Sequence, residues 1–272
     1  DQVPRALAIV NGGNALATVI AAPLGSFLGA LIGWRGAFFC IVPVAAMAAV
    51  WLLLSLPVMR PRGHAGSGTV LRLMRRMPVA LGMLAVSVLF MGQFMLFTYL
   101  RPFLETVTQV SAATLSLMLL VLGMAGFVGT FLIEACLKNS LYRTLIAIPL
   151  LLAVIALALV GFGSSTLATT VLLGFWGLVA TAAPVGWWTW LARTLPDDAE
   201  AGGGLMVAII QLAIAAGATA GGLVFDLSGY RATFESSAAL LVLAAALAFG
   251  CAMASCKAPA SWSRADMPGL DL

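Results

Sequence analysis

Apolar residues fill eight long stretches of this chain, near 6–31, 37–56, 79–101, 112–136, 144–162, 167–191, 203–225 and 233–255. The hydrocarbon core of a bilayer takes about 20 helical residues to cross. Short turns marked by Pro, Gly or charge separate the stretches, so the pattern predicts eight membrane-spanning helices. A barrel is excluded by the same pattern. Barrel strands are about 10 residues long and alternate apolar with polar positions, whereas Ala238–Leu247 is apolar throughout. The fold class expected is an all-α polytopic membrane protein.

Composition sharpens this reading. The chain is 62% hydrophobic and 9% charged, against about 25% charged residues in a soluble domain. Arg and Lys then orient the spans. Arg5, Arg60, Arg62, Arg72, Arg75, Arg76, Lys138, Arg143, Arg193, Lys257 and Arg264 fall in one set of turns; Arg35, Arg101 and Arg231 fall in the other. Positive residues stay cytoplasmic, so both ends of the chain are expected inside, which requires an even number of spans. The net charge of +4 therefore reflects topology and gives no reason to expect nucleic acid as a partner. The lipid bilayer is the partner that the composition demands.

The longest polar interruption, 57–78, is basic and falls after two spans, with six following. The organisation expected is two spans in 1–56, a cytoplasmic linker at 57–78, a six-helix bundle in 79–256 and a cytoplasmic tail at 257–272. Leu71, Leu73 and Met74 among Arg72, Arg75 and Arg76 suggest a short basic helix lying on the headgroups. The chain opens at Asp1 without Met or a signal peptide, which suggests an incomplete protein.

Enzyme chemistry finds little footing. His64 is the single histidine and sits in the linker; no GxSxG, HExxH or phosphate loop occurs. Cys40, Cys136, Cys251 and Cys256 form no metal-ligand spacing and read as small packing residues within or at the ends of spans. No metal or cofactor is expected.

Glycines carry packing information. Gly25, Gly29 and Gly33 recur every four residues, as do Gly217 and Gly221, while Gly123, Gly126 and Gly129 are spaced by three. Small residues at such spacing let membrane helices approach closely. Pro23 should kink the first span. Asn11, Asn14, Pro23 and Gly25, followed by Gly33-Trp34-Arg35-Gly36-Ala37-Phe38, resemble the fifth-span antiporter motif of the major facilitator superfamily and the turn after it; Ala22 stands where the motif prefers Gly. Gly92-Gln93-Phe94, Phe97-Thr98-Tyr99, Arg101-Pro102, Pro184-Val185-Gly186-Trp187 and Val207–Leu212 extend the likeness over nearly the whole chain, to the bacterial purine ribonucleoside efflux transporters of the drug:H⁺ antiporter group.

That resemblance implies spans five to twelve of a two-bundle fold, with each bundle built from inverted three-helix repeats and substrate held near the midplane. It implies missing N-terminal spans as partners, and a bacterial inner-membrane protein exporting a small-molecule substrate, purine nucleosides such as inosine or guanosine, in exchange for protons. Drug or sugar export by the same superfamily, and a truncated remnant that transports nothing, are the alternatives.

Polar and aromatic residues inside spans are the candidates for cargo contact, because such groups are costly in lipid and face cavities or partner helices. Gln93 and Phe97 share a helix face, with Tyr99 close by. A flat purine offers a π-face and hydrogen-bonding edges, which aromatics and an amide match chemically. Trp176, Gln211 and Asn14 join the set. Helix–helix hydrogen bonding remains open for Gln93, Gln211 and Asn14, and packing for the Phe stripe. Trp187, Trp188 and Trp190 read as an aromatic belt. Proton coupling has no clear residue: Glu134 is a weak candidate, and Lys138 at i+4 is correctly placed to pair with it.

Overall fold

The computed structural model describes residues 3–55, 73–196 and 198–257, and every described element is helical. Residues 56–72, with His64 and Leu71 of the expected linker, the residue Asp197 and residues 258–272 of the expected tail lie outside the described residues, as do the side chains of Asn11, Asn14, Glu134 and Lys138. The helices are α1 (Val3–Ser55), α2 (Met77–Phe97), α3 (Leu100–Thr106), α4 (Ala112–Asn139), α5 (Leu141–Phe162), α6 (Thr166–Ala180), α7 (Ala182–Thr194) and α8 (Ala199–Lys257).

Two of these are double. A straight α8 of 59 residues would measure about 88 Å at 1.5 Å per residue, far beyond a bilayer of about 30 Å. The chain reverses at Gly229 (φ 78, ψ −179) instead. Gly33 (φ 75, ψ 165) breaks α1 in the same way. Both lie in a backbone region open essentially to glycine alone. The eight expected spans thus correspond to two arms of α1, α2 with α3, α4, α5, α6 with α7, and two arms of α8. Gly33, expected as the last member of a packing repeat, serves as the turn; no described atom lies within 4 Å of a Cβ built at Gly25, Gly29 or Gly33.

The bundle is organised around α2, which lies between the two arms of α8. On one side a Cβ at Gly217 would strike the Met91 carbonyl, and one at Gly221 would sit 2.7 Å from the Met95 carbonyl oxygen. On the other side Ser237 Oγ donates to Gly92 O at 2.6 Å. A second close crossing joins α4 and α6. There Gly129 meets the Leu178 carbonyl, and Gly177 meets the Leu122 carbonyl. Backbone thus touches backbone at both crossings, the geometry that small residues permit in lipid.

Leu73 is fully buried in the core cluster, with Met74 packed against it. The expected surface helix is corrected at Leu73, which inserts into the bundle, because an apolar side chain there gains more from packing than from the headgroup layer; Leu71 and Arg72 lie outside the described residues, and Arg75 and Arg76 are exposed. At the opposite end α3 caps the bundle. Phe103 is buried against Phe234 (4.9 Å between centroids) and Tyr230 (5.3 Å), and Thr108 Oγ1 donates to Gly163 O at 2.8 Å. By contrast, every position from 38 to 55 in α1 is exposed.

Candidate functional site

The sequence candidates separate once their surroundings are known. Tyr99 sits in the break between α2 and α3. Its hydroxyl donates to Ala218 O at 3.0 Å, and its ring stacks on Phe225 at 5.2 Å. That side chain fastens α2 to α8. The break also separates the neighbouring side chains: Phe90, Phe94 and Phe97 of α2 contact one another in series, whereas Arg101 pairs with Glu105 at 2.8 Å on α3.

Gln93 is half-buried, and its Oε1 has no hydrogen-bond partner. Phe97 shares its face and packs against the core. Trp176 is 1% exposed, and its Nε1 is likewise unpartnered. Trp176 is therefore enclosed within this bundle itself. Trp187 and Trp190 are buried too, which corrects the aromatic-belt reading for both; Trp188 alone of the three is exposed. Trp190 is buried against α2 where Gly82 leaves room for its ring. Among the cysteines only Cys251 is buried; Cys40, Cys136 and Cys256 are exposed, and all four are free. The described residues contain no cluster of His, Cys, Asp and Glu able to hold a metal.

Gln211 is different: it is exposed. At 100° per residue, Gly204, Ala208, Gln211, Ala215 and Thr219 of α8 fall within an arc of about 80°. All five are exposed. The neighbouring arc carries Leu212, Leu223 and Leu227, each more than 60% exposed. Met206, Ala213, Gly217 and Gly221 turn the other way, to the core. The helix thus has three faces: one against α2, one of exposed leucine suited to lipid, and one of exposed small and polar residues, the kind that lets another helix or a solute approach closely. On α2 the most open arc holds Leu84, Ser87, Met91, Phe94 and Thr98. The α8 face was legible from sequence only at Gln211, because Gly204, Ala208 and Ala215 look like ordinary apolar span residues until their exposure is known.

A sequence profile described as Major Facilitator Superfamily matches residues 1–203. The chain belongs to the major facilitator superfamily. This facilitator chain is similar to the transcription regulatory protein OpdE of Pseudomonas aeruginosa, with 60% identity over 96% of the chain and 65% of OpdE. It is also similar to the purine ribonucleoside efflux pump NepI of Escherichia coli and of Shigella sonnei, with 41% identity over 90% of the chain and 62% of the pump in each case. The chain thus spans slightly less than two thirds of the length of these relatives. Facilitator membership makes it a multi-pass membrane protein of a transporter family. That agrees with the six described helices long and apolar enough to cross a membrane, one of which is the 57-residue stretch from Glu200 to Cys256.

Proposed function

We propose that this chain forms about two thirds of a secondary transporter that exports purine ribonucleosides in exchange for protons across the bacterial inner membrane. The 41% identity to NepI along 90% of the chain carries the reading. In it, both ends of the chain are cytoplasmic, residues 57–78 form the linker between bundles, and 79–256 form the C-terminal bundle. Cargo passes along the open face of α8 at Gln211 and the adjoining face of α2 at Phe94 and Thr98. The amide of Gln211 both donates and accepts, which suits a purine edge carrying both kinds of group; Phe94 offers a ring for stacking. Gln93, Phe97 and Trp176 lie behind these faces. They contact cargo only in a conformation that opens the bundle further, and Asn14 would approach from the side of α1.

The test is uptake of radiolabelled inosine into inside-out vesicles bearing the protein, with an imposed pH gradient. Gradient-dependent accumulation that unlabelled guanosine suppresses is the expected result. Accumulation of a drug or sugar with no nucleoside movement would replace the cargo assignment, and the absence of any gradient-driven flux would remove the antiport.

The name of the 60% identical relative favours one addition: a transporter of this kind alters transcription indirectly, by setting the internal level of a small effector. A transport-dead variant and a deletion should then change the same transcripts. Transcript changes in the deletion alone would mean a role separate from transport.

A further inference from the structure

The face of α8 that carries Gln211 does not stay open to the end of its arm. At 100° per residue, Gln211, Ala215 and Gly222 fall within about 40° of one another, and Gly222 stands about 16 Å beyond Gln211 toward the turn at Gly229. Gln211 and Ala215 are exposed, whereas Gly222 is half-buried. What covers it is Tyr99, at the break between α2 and α3. A Cβ built at Gly222 would strike the Tyr99 hydroxyl, and one at Gly221 would lie 3.1 Å from Tyr99 Cε2. The two glycines form the seat of this ring, and any side chain at Gly222 would lift it.

The sequence explains why a side chain can swing at this point. Pro102 has no N–H to offer the Thr98 carbonyl four residues earlier, and its ring crowds that carbonyl. The helix breaks at Tyr99 (φ −100, ψ 9), whose N–H bonds to Leu96 O at 3.0 Å, three residues back rather than four. The chain is anchored on both sides of the joint. Met91 and Met95 of α2 lie against Gly217 and Gly221 of α8, and Phe103 of α3 is buried against Tyr230 and Phe234. Tyr99 itself is half-buried. Two contacts hold it: the bond from its hydroxyl to Ala218 O at 3.0 Å, and the stack on Phe225 at 5.2 Å. The Ala218 carbonyl stands inside a helix, with the Gly222 N–H as its regular partner. The tyrosine bond is therefore an additional one, and its loss leaves no acceptor unpaired. Each of the two contacts favours the seated ring by only about two- to tenfold, a grip that a side chain can leave and regain.

We propose that Tyr99 is the gate at this end of the cargo face. It closes the face between Ala215 and the turn when its hydroxyl rests on Gly222 and bonds Ala218 O. It opens by swinging about the Pro102 joint while α3 stays in place. That a nucleoside passes this gate, and passes it outward, rests on the export reading above; the closure rests on the contacts of Tyr99.

Single cysteines in the longest gene product containing this chain, with its native cysteines replaced by serine, test the gate without any cargo. Ser228→Cys, beside the turn, reports which side of the membrane this end faces, and Ala215→Cys reports the face behind the gate. Labelling by a membrane-impermeant methanethiosulfonate is measured in intact cells and in inside-out vesicles. From the side at which Ser228→Cys reacts, Tyr99→Phe should speed labelling of Ala215→Cys about two- to tenfold, the factor that one hydrogen bond controls. Gly222→Ala should do the same by displacing the hydroxyl. Combined, the two should exceed either alone by little, because the hydroxyl to be displaced is already gone. The rate at Ser228→Cys should stay unchanged in both variants, which separates an opened gate from a loosened fold. Unchanged labelling of Ala215→Cys in both variants, full multiplication of their effects, or an equal rise at Ser228→Cys would each overturn the gate. Reaction of Ser228→Cys in inside-out vesicles alone would overturn the export orientation instead, with the gate then judged by labelling from that side.

Discussion

Gly217 and Gly221 repeat in α8 the spacing that Gly25 and Gly29 show in α1, yet alanine should act on the two pairs with opposite signs. In α8 a Cβ at position 221 would sit 2.7 Å from the Met95 carbonyl oxygen and 3.2 Å from Met95 Cα, and one at 217 would lie closer still to the Met91 carbonyl. Ordinary contact begins near 3.4 Å, so Gly221→Ala must push α2 and α8 apart by about 0.7 Å. The obstacle is backbone and cannot rotate away. Such overpacking costs about 1–3 kcal/mol per site. In α1 nothing described lies within 4 Å of a Cβ at either position. There alanine only improves helix propensity, by about 0.5–1 kcal/mol. In purified chain 1–272 in detergent, Gly217→Ala and Gly221→Ala should lower the midpoint of thermal unfolding by about 2–4 °C per kcal/mol lost. Gly25→Ala and Gly29→Ala should leave it unchanged or raise it. Equal destabilisation by both pairs would refute the argument, because it would mean that the spacing itself, and not the carbonyl beneath it, sets the cost.

Three further outcomes follow from particular contacts. Gly229→Ala and Gly33→Ala place a Cβ at φ near +75 to +78 with ψ extended and should each cost about 1–3 kcal/mol; a thermal midpoint equal to that of the parent chain would argue against either turn. Ser237→Ala removes a buried bond of 2.6 Å to Gly92 O and leaves that carbonyl without its side-chain donor, a loss of about 1–3 kcal/mol. Thr219→Ala removes only an exposed bond to its own helix, so the two should separate clearly in a denaturation series. Gln211→Leu should abolish inosine accumulation in vesicles while leaving the unfolding midpoint within about 0.5 kcal/mol of the parent, the range of surface changes; full transport by that variant would remove Gln211 from the cargo path.

Hydropathy alone determined that this chain is a set of membrane helices, roughly where each lies, and which glycines lie at small-residue spacing. Those features depend on local length and on the cost of unpaired backbone in lipid, and the sequence states both. The family was also legible, through Pro23, Gly33-Trp34-Arg35 and the segments around Gln93. Tertiary structure decided the rest. It assigned Gly33 and Gly229 to turns, Gly217 and Gly221 to a backbone contact, Tyr99 to a helix clasp, and Leu73, Trp176, Trp187 and Trp190 to the interior. The physical reason is common to all of them. In water, an apolar face marks the side of a helix that is buried. In a bilayer the lipid face and the core face are both apolar, so the periodicity that would orient a helix is nearly absent. Even Gln211 on α8 left both a cavity and a partner helix open, and it and its small neighbours Ala208 and Ala215 needed the assembled bundle to show which way they look.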